Sequence, residues 1–261
     1  MSLQAALEAR IHSGGRCLVP YLTGGLPQEA PADWTTTLSA IGDAGADAIE
    51  VGIPFSDPVM DGPVIQEASE RALAAGATPP GVMAGIGDLD VEVPLAVMTY
   101  YNLVYRFGHR RFARTAVENR VSGAILPDVP LEESEDWCRA ADDAGVETVM
   151  LAAPTASDER LERVCARARG FVYGVGLLGV TGERSELAAS ARTIALRLKE
   201  VADLPVLVGV GVSTPAQAVE VCDAADGVVV GSAVVRRMLE SGSPDAVAEL
   251  VSDFRVALDS R

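Results

Sequence analysis

The run DAIEVGIP (47–54) is short, rich in β-branched residues and bounded by glycine and proline, which is typical of a buried strand. Seven similar runs recur along the chain, with room for a helix between most of them. The eight predicted strands are residues 17–23, 47–54, 94–100, 123–127, 147–154, 170–176, 205–211 and 227–233. Their regular recurrence indicates a parallel sheet with helical crossovers.

Helix-like segments fill the intervals, and several of them start near Ser, Thr or Asp and end in Gly. The clearest are residues 34–45, 108–120, 131–145, 157–170 and 214–225. Eight strand–helix units in about 250 residues predict an α/β fold, a single (β/α)8 TIM barrel that spans residues 1–261 as one domain.

Three additions to the plain barrel are expected. The first residues, MSLQAALEARIHSGGR, predict an extra N-terminal helix. Long loops follow strands two and six: residues 56–76 include an additional helix, and residues 177–190 have the composition of a mobile lid. In this fold, loops after strands lie at the C-terminal face, where catalysis takes place.

Composition restricts the partners and the location. A net charge of −16 opposes binding to nucleic acid. No run of about 18 apolar residues is present, so we expect no membrane span. The N-terminus lacks the basic start and apolar region of a signal peptide, so we expect the cytoplasm. Four scattered cysteines without a CxxC pair predict reduced thiols and no structural zinc.

The run GVGLLG (174–179) matches the GxGxxG pattern of a dinucleotide-binding turn. In such a turn the helix starts within the motif, and the motif opens the first βαβ unit. Here the run lies in the sixth unit and continues into the polar VTGERSE. NAD binding is therefore disfavoured, although the pattern by itself leaves it open.

Glycines end the seventh and eighth predicted strands, at Gly211 and at Gly231, the latter followed by Ser232. Barrels often bind phosphate at this place through backbone N–H groups and a helix N-terminus. Each glycine alone is equally consistent with a tight turn, but their occurrence in adjacent strands favours a phosphate site. Gly182, in the loop after strand six, is placed to close over the same anion.

Two carboxyl groups are candidates for acid–base chemistry. Strand alternation points Glu50 into the barrel, where a lone carboxylate is costly; a buried salt bridge to an arginine is about as consistent with the pattern. Asp61 lies in a loop rich in Gly and Pro and, taken alone, suits a turn or cap. Together the two suit proton transfer on a substrate. Tyr173, on the inward phase of strand six, could donate a hydrogen bond or simply pack in the core.

Many motifs in order resemble the tryptophan synthase alpha subunit family, from about Val19 to Val235. The most specific block is EVGIPFSDPVMDGPVIQ (50–66). It is supported by PYLTGG, MTYYN, GAILPDVP, APT, FVYGVGLLGVTG, VGVGVSTPAQA and ADGVVVGSAVV.

This resemblance implies cleavage of indole-3-glycerol phosphate to indole and glyceraldehyde 3-phosphate, a retro-aldol reaction without a cofactor. By the family pattern Glu50 moves a proton to indole C3 and from the glycerol hydroxyl. Asp61 holds the indole N–H and stabilises positive charge on the ring. Tyr173 matches a tyrosine that contacts the substrate.

The resemblance also assigns the remaining site. The phosphate-binding positions are Gly182, Gly211, Gly231 and Ser232, and the lid and pocket positions are Thr181, Tyr100 and Tyr21. It further implies a PLP-dependent beta subunit as partner in an alpha2beta2 complex. The partner surface would be formed by Pro54, Asp57 and Asn102.

The residue inventory supports carboxylate chemistry independently. A Schiff-base aldolase needs a lysine in the barrel, and the only lysine, Lys199, is predicted on an outer helix. A metal aldolase needs a ligand cluster that usually includes histidine. His12 precedes strand one and His109 falls in the helix after strand three, so neither is placed for it.

Three residues depart from the family pattern: Leu26 stands for a usual Asp, Met60 for a usual Ala and Gly176 for a frequent Ser. These changes leave two alternatives open, a stand-alone indole-producing lyase of specialised metabolism and a weakly catalytic subunit that activates a partner. Another phosphate-binding barrel enzyme, such as an isomerase, would lack the EVGIPFSDP block.

Overall fold

The eight predicted strands form one closed parallel barrel in the computed structural model, which describes residues 1–29, 33–176, 184–209 and 211–260. The strands are β1 (Cys17–Thr23), β2 (Ile49–Gly52), β3 (Leu95–Met98), β4 (Val121–Ile125), β5 (Glu147–Ala152), β6 (Val172–Gly174), β7 (Val206–Val208) and β8 (Gly227–Val230). Each strand pairs with its successor, and β8 returns to β1. The predicted (β/α)8 TIM barrel is confirmed.

Most strands are shorter than the predicted runs, and the difference lies mainly at their C-terminal ends. The run 170–176 contributes β6 only as far as Gly174, and the run 205–211 contributes β7 only as far as Val208. The residues beyond these points leave the ladder and line a cavity instead, Val175, Gly176 and Gly211 among them. A composition rich in glycine therefore marks the transition from strand to functional loop.

Twelve α-helices surround the barrel within the described part of the chain. They are α1 (Leu3–His12), α2 (Trp34–Asp43), α3 (Pro63–Ala74), α4 (Pro79–Gly87), α5 (Tyr101–Phe107), α6 (His109–Glu118), α7 (Glu135–Ala144), α8 (Asp158–Arg167), α9 (Arg184–Val201), α10 (Pro215–Val221), α11 (Ser232–Ser241) and α12 (Pro244–Asp259). All five of the clearest predicted helices are present, as is the N-terminal helix. The short helix α5 was not predicted, because the run 94–100 continues into it without a break.

The loops after strands two and six differ from the prediction. The segment after β2 holds α3, as expected, and α4 follows it before β3. The predicted lid 177–190 is helical from Arg184 onwards, because α9 begins there. Residues 177–183 lie outside the described residues. No helix in the described ranges combines the length and the apolar character that a membrane crossing requires.

Side-chain alternation separates two apolar layers, as strand geometry requires. Ala48 belongs to the cluster inside the barrel. Ile49, Val51 and Ile53 belong to the larger cluster between strands and helices. The same alternation points Glu50 inward, with only 1% of its surface exposed.

Helix α1 closes the N-terminal face of the barrel. Leu3 and Leu7 are completely buried in the inner cluster, one turn apart on one side of the helix. The carboxylate of Glu147, the first residue of β5, accepts hydrogen bonds from the backbone N–H groups of Leu3 at 2.5 Å and Gln4 at 3.1 Å. A side chain from mid-sequence thus satisfies donors that a helix N-terminus leaves free.

An ion-pair cluster joins the two ends of the chain on the same face. Asp47, just before β2, accepts from the backbone N–H of Leu18 at 2.8 Å and pairs with Arg255 of α12 at 3.1 Å. Arg255 also pairs with Asp259 at 2.6 Å, and Asp259 contacts Arg10 of α1. The carboxylate of Asp47 is therefore bonded on several sides although it is largely buried.

Candidate active site

Strand β2 directs the side chain of Glu50 inward. Glu50 therefore lies at the floor of a cavity at the C-terminal ends of the strands. Its register partners are Tyr21 of β1 and Ala96 of β3. Neither carboxylate oxygen of Glu50 has a hydrogen-bond partner among the described residues. Burial and, to a smaller extent, the charge of Asp61 together raise the pKa of Glu50 to about 8. Glu50 is thus a buried acid that keeps its proton at neutral pH, and no arginine pairs with it among the described residues.

Asp61 reaches the same cavity from the loop after β2. Its backbone N–H donates to the carbonyl of Pro58 at 3.1 Å, which closes a four-residue turn. Burial, partly offset by the hydrogen bond with the Tyr100 hydroxyl, raises the pKa of Asp61 to about 6. At neutral pH Asp61 is therefore ionised next to a protonated Glu50, the two different states that acid–base chemistry uses.

Tyr21 and Tyr173 bring phenol groups to the same region, and both are packed against glycines. A Cβ at Gly52 would overlap the Tyr21 hydroxyl, and a Cβ at Gly209 would overlap the Tyr173 hydroxyl. Burial raises the pKa of both phenols, and the neighbouring Glu50 contributes to the rise at each. Both groups therefore stay protonated and can donate a hydrogen bond.

The cavity has a volume of about 380 Å³, in the range of small-molecule sites. Its walls are largely apolar, and its polar groups are concentrated at the base and at one end. The lining residues are Tyr21, Glu50, Met60, Asp61, Gly62, Ile65, Met98, Pro127, Leu151, Ala153, Pro154, Tyr173, Val175, Gly176, Gly209, Gly211, Val229, Gly231 and Ser232. Such a cavity can hold a flat apolar group above the carboxyl groups at its floor.

The polar end of the cavity is the start of helix α11. Ser232 is its first residue, and Gly231 forms the N-cap without a side-chain hydrogen bond. Gly211 lies beside them with a φ of 78°, a conformation that favours glycine. The first N–H groups of a helix have no intrahelical partner, and together with the helix dipole they suit an anion. The structure brings three of the four predicted phosphate positions together; Gly182 lies outside the described residues, as does Thr181 of the predicted lid.

Tyr100 contacts the Asp61 loop and does not line the cavity. Its hydroxyl accepts a hydrogen bond from the backbone N–H of Met60 at 2.9 Å, and its ring stacks on Phe55 with centroids 5.0 Å apart. Burial raises the pKa of Tyr100 to about 12. Because the hydroxyl already accepts from Met60, its own proton is free to face Asp61.

The residues predicted to contact a partner differ in exposure. Asp57 and Asn102 are exposed at the C-terminal face. Pro54, by contrast, is buried, so its side chain supports the loop and is not available to a partner in this structure.

The three departures from the family pattern also occupy different places. Met60 and Gly176 line the cavity, whereas Leu26 is buried between barrel and helices. Changes at Met60 and Gly176 therefore act on the pocket itself, and a change at Leu26 acts on packing.

The apolar walls were not predicted from the sequence, although a signal for them was present. Met98, Leu151 and Val229 lie on the inward phase near the ends of their strands, and this position could have identified them. Gln66, which touches the Asp61 turn, was also missed.

Lysine and histidine lie away from the cavity. Lys199 is on α9, where its ammonium group bonds both carboxylate oxygens of Asp226 at 2.7 and 2.8 Å. His109 bonds the Tyr101 hydroxyl at 3.0 Å. Across the described ranges, no three His, Cys, Asp or Glu side chains are grouped as metal ligands. The acidic groups of the cavity are therefore its candidate reactive groups.

A closed parallel barrel with an acidic cavity at the C-terminal ends of its strands belongs to the (β/α)8 class of enzymes. Residues 7–256 match the family model for the tryptophan synthase alpha chain. The chain belongs to that family.

Curated relatives and solved structures agree with this assignment. The chain is 43% identical to the tryptophan synthase alpha chain of Thermobifida fusca over 249 residues, 94% of this chain and 92% of the relative. It is 42% identical to that of Streptomyces coelicolor over 98% of this chain and 94% of the relative. The tryptophan synthase subunit alpha of Legionella pneumophila superposes with a TM-score of 0.89 at 34% identity, with both chains fully covered.

A structure of Mycobacterium tuberculosis tryptophan synthase gives a TM-score of 0.89 at 35% identity and covers 98% of this chain and 97% of that one. The chain is thus a lyase of tryptophan biosynthesis that cleaves indole-3-glycerol phosphate.

Proposed function

We propose that Glu50 and Asp61 carry the cleavage of indole-3-glycerol phosphate. The observation that supports this most directly is Glu50, a buried carboxyl at the floor of the cavity whose two oxygens have no hydrogen-bond partner in the described part of the chain. A folded chain tolerates such a group where its hydrogen-bonding capacity is used by a substrate.

The first step is protonation of the indole ring. The indole plane occupies the apolar part of the cavity, between residues such as Met98 and Leu151. Glu50, protonated at neutral pH, gives its proton to C3 of the ring. The positive charge that forms on the ring nitrogen is stabilised by ionised Asp61, which accepts the N–H hydrogen bond.

The second step breaks the carbon–carbon bond. Glu50, now a carboxylate, removes the proton from the hydroxyl on the carbon attached to C3. A carbonyl forms at that carbon, the bond to C3 breaks, and its electron pair neutralises the ring. Indole and glyceraldehyde 3-phosphate result, and Glu50 has regained its proton without a cofactor.

The phosphate is held at the start of α11. Backbone N–H groups around Gly211, Gly231 and Ser232 bind it, and Tyr173 and Tyr21 donate hydrogen bonds to the glycerol part. Because the chain carries a net charge of −16, this local donor set is needed to attract an anion. The resemblance also assigns Gly182 to phosphate binding and Thr181 to the lid, and both lie outside the described residues.

The partner is a PLP-dependent beta subunit, which receives the indole in an alpha2beta2 complex. Exposed Asp57 and Asn102 at the C-terminal face are the residues of this chain that support a docking surface there. The whole chain, 1–261, acts as one domain, since one barrel closes between β1 and β8 and α12 packs on α2.

A steady-state assay of indole release from indole-3-glycerol phosphate tests the proposal. The purified chain should release indole, and an added tryptophan synthase beta subunit should raise the rate. A rate that the beta subunit leaves unchanged would indicate a stand-alone lyase. No indole release with or without the beta subunit would contradict the proposed function.

A further inference from the structure

The turn that carries Asp61, formed by residues 58–61, has little burial to hold it in place. Its two central side chains are solvent-exposed, Val59 by 81% and Met60 by 43%. Its one internal backbone hydrogen bond runs from Asp61 N–H to the Pro58 carbonyl at 3.1 Å. Something outside the turn must fix Asp61, because catalytic groups act only within narrow limits of position.

One contact comes from helix α3. The side-chain amide of Gln66 donates to the carbonyl of Asp61 at 2.9 Å and to the carbonyl of Pro58 at 3.4 Å. These carbonyls are the first and last of the turn, so a single amide group holds both of its ends. Gln66 itself is anchored, because its backbone N–H donates to the Gly62 carbonyl at 3.0 Å in the first turn of the helix.

A second contact comes from the opposite side. The Tyr100 hydroxyl, which follows β3, accepts from the N–H of Met60 in the middle of the turn. The turn is therefore held between a helix and a strand end, at three of its backbone groups. Of these two holding residues, only Gln66 contacts the backbone of Asp61 itself.

We propose that Gln66 is a positioning residue for Asp61. It does not line the cavity, so its effect on the reaction passes through the backbone of the turn. This inference rests on the proposed function, because it requires Asp61 to act on the substrate. It assigns a role to the last residue of the block EVGIPFSDPVMDGPVIQ, for which neither the resemblance nor the cavity provides one.

The substitution Gln66→Met tests the proposal, because methionine keeps the length of the side chain and removes both donors. We expect kcat to fall about tenfold with KM changed less than twofold, since a displaced carboxylate at Asp61 loses transition-state contacts first. Gln4→Met is the matched control. Its amide donates to Glu8 on α1, at the closed end of the barrel, and kcat should stay unchanged.

The pH profile separates positioning from simple support. The titratable groups that face Asp61 are Tyr21 of β1, Glu50 of β2 and Tyr100 after β3. Burial raises the pKa of Asp61 and the Tyr100 hydroxyl lowers it, so a displaced turn changes both contributions. The acid limb of kcat should therefore shift in Gln66→Met, whereas a merely structural role would leave it in place. Gln66→Lys, which retains a donor and adds a positive charge, should keep kcat within about threefold and move that limb to lower pH.

The result that overturns the proposal is a folded Gln66→Met variant with the kcat and acid limb of the native chain. A loss of kcat that only follows the loss of folded protein, with the pH profile unchanged, overturns it equally. These outcomes differ from a failure of the proposed function, because in that case the native chain itself would release no indole.

Discussion

Asp47 and Glu50 belong to the same short stretch of chain, yet their surroundings are opposite. Asp47, below β2, is bonded to the Leu18 backbone and to Arg255. Glu50, inside β2, is more deeply buried and has no protein partner among the described residues. At the N-terminal face of the barrel, the carboxylate of Asp47 connects secondary-structure elements. At the C-terminal face, Glu50 has no such contact among the described residues.

Two other carboxylates at the N-terminal face follow the pattern of Asp47. Glu147 accepts from the first N–H groups of α1. Asp226, before β8, accepts from Lys199 and from the backbone of Val206 at 2.9 Å. The comparison teaches that burial alone does not mark a functional acid. The features that mark a functional acid occur together at Glu50: the carboxyl is buried, it has no protein partner among the described residues, and it faces a cavity.

The largest expected effect comes from Glu50→Gln, which removes the proton donor and keeps the shape of the side chain. Indole release should fall by about 10²–10⁴-fold, the usual contribution of a general acid–base group. Steady-state kinetics with the purified chain measure it. Cleavage that remains intact would contradict the role of Glu50.

The same variant sharpens the comparison through stability. The pKa of Glu50 is raised from its ordinary 4.5 to about 8, so the folded chain holds a proton that the unfolded chain has lost between these pH values. The free energy of unfolding therefore falls as pH rises through this window. Urea unfolding of Glu50→Gln at several pH values should show a smaller fall than the native chain.

The next effect comes from Arg255→Met at the opposite face, which leaves the largely buried Asp47 without its closest cation. The free energy of unfolding should decrease by about 3 kcal/mol, equivalent to a Tm lower by roughly 6–12 °C. Thermal unfolding measures it, and kcat should be unchanged. In the control Arg71→Met, which breaks an exposed pair with Glu67, the loss should stay below about 1 kcal/mol. If Arg255→Met changed kcat and left Tm unchanged, it would contradict the inference that the N-terminal face serves stability and the C-terminal face serves catalysis.

The smallest effect is expected for Gly231→Ala. The added Cβ would meet only ordinary contacts with protein, the nearest being Tyr21 at 3.7 Å, and the φ of −99° suits alanine. Stability should stay within about 0.5 kcal/mol. The methyl group narrows the end of the cavity at the start of α11, where we propose that the phosphate binds. KM should therefore rise about tenfold, which corresponds to a loss of about 1.4 kcal/mol in binding free energy. Unchanged KM, together with unchanged competition by inorganic phosphate, would show that the anion does not approach Gly231.

Patterns local in sequence predicted the barrel and several of the polar and glycine positions of the cavity, but not its apolar walls. The alternation of β2 was enough to point Glu50 inward, and the glycines after β7 and β8 were enough to bring Gly211, Gly231 and Ser232 to one cavity, where phosphate binding stays a prediction. These predictions succeeded because strand geometry and glycine conformation depend on neighbouring residues alone.

Contacts that depend on loop geometry could not be predicted in this way. The bond between Tyr100 and Met60 joins residues 40 positions apart, and the double contact of Gln66 depends on the shape of one turn. The burial of Pro54 depends likewise on how loop two folds back on the barrel. No periodicity encodes any of these, so they become visible only in three dimensions.

The cap on α1 has a consequence for synthesis of the chain. Helix α1 leaves the ribosome first, but the carboxylate that caps it belongs to a residue 144 positions later. At about 5–20 residues per second, the helix waits roughly 7–29 seconds for that partner. The pair between Asp47 and Arg255, 208 positions apart, forms later still. The oldest segment of the nascent protein is therefore fixed only after half of the barrel has been made.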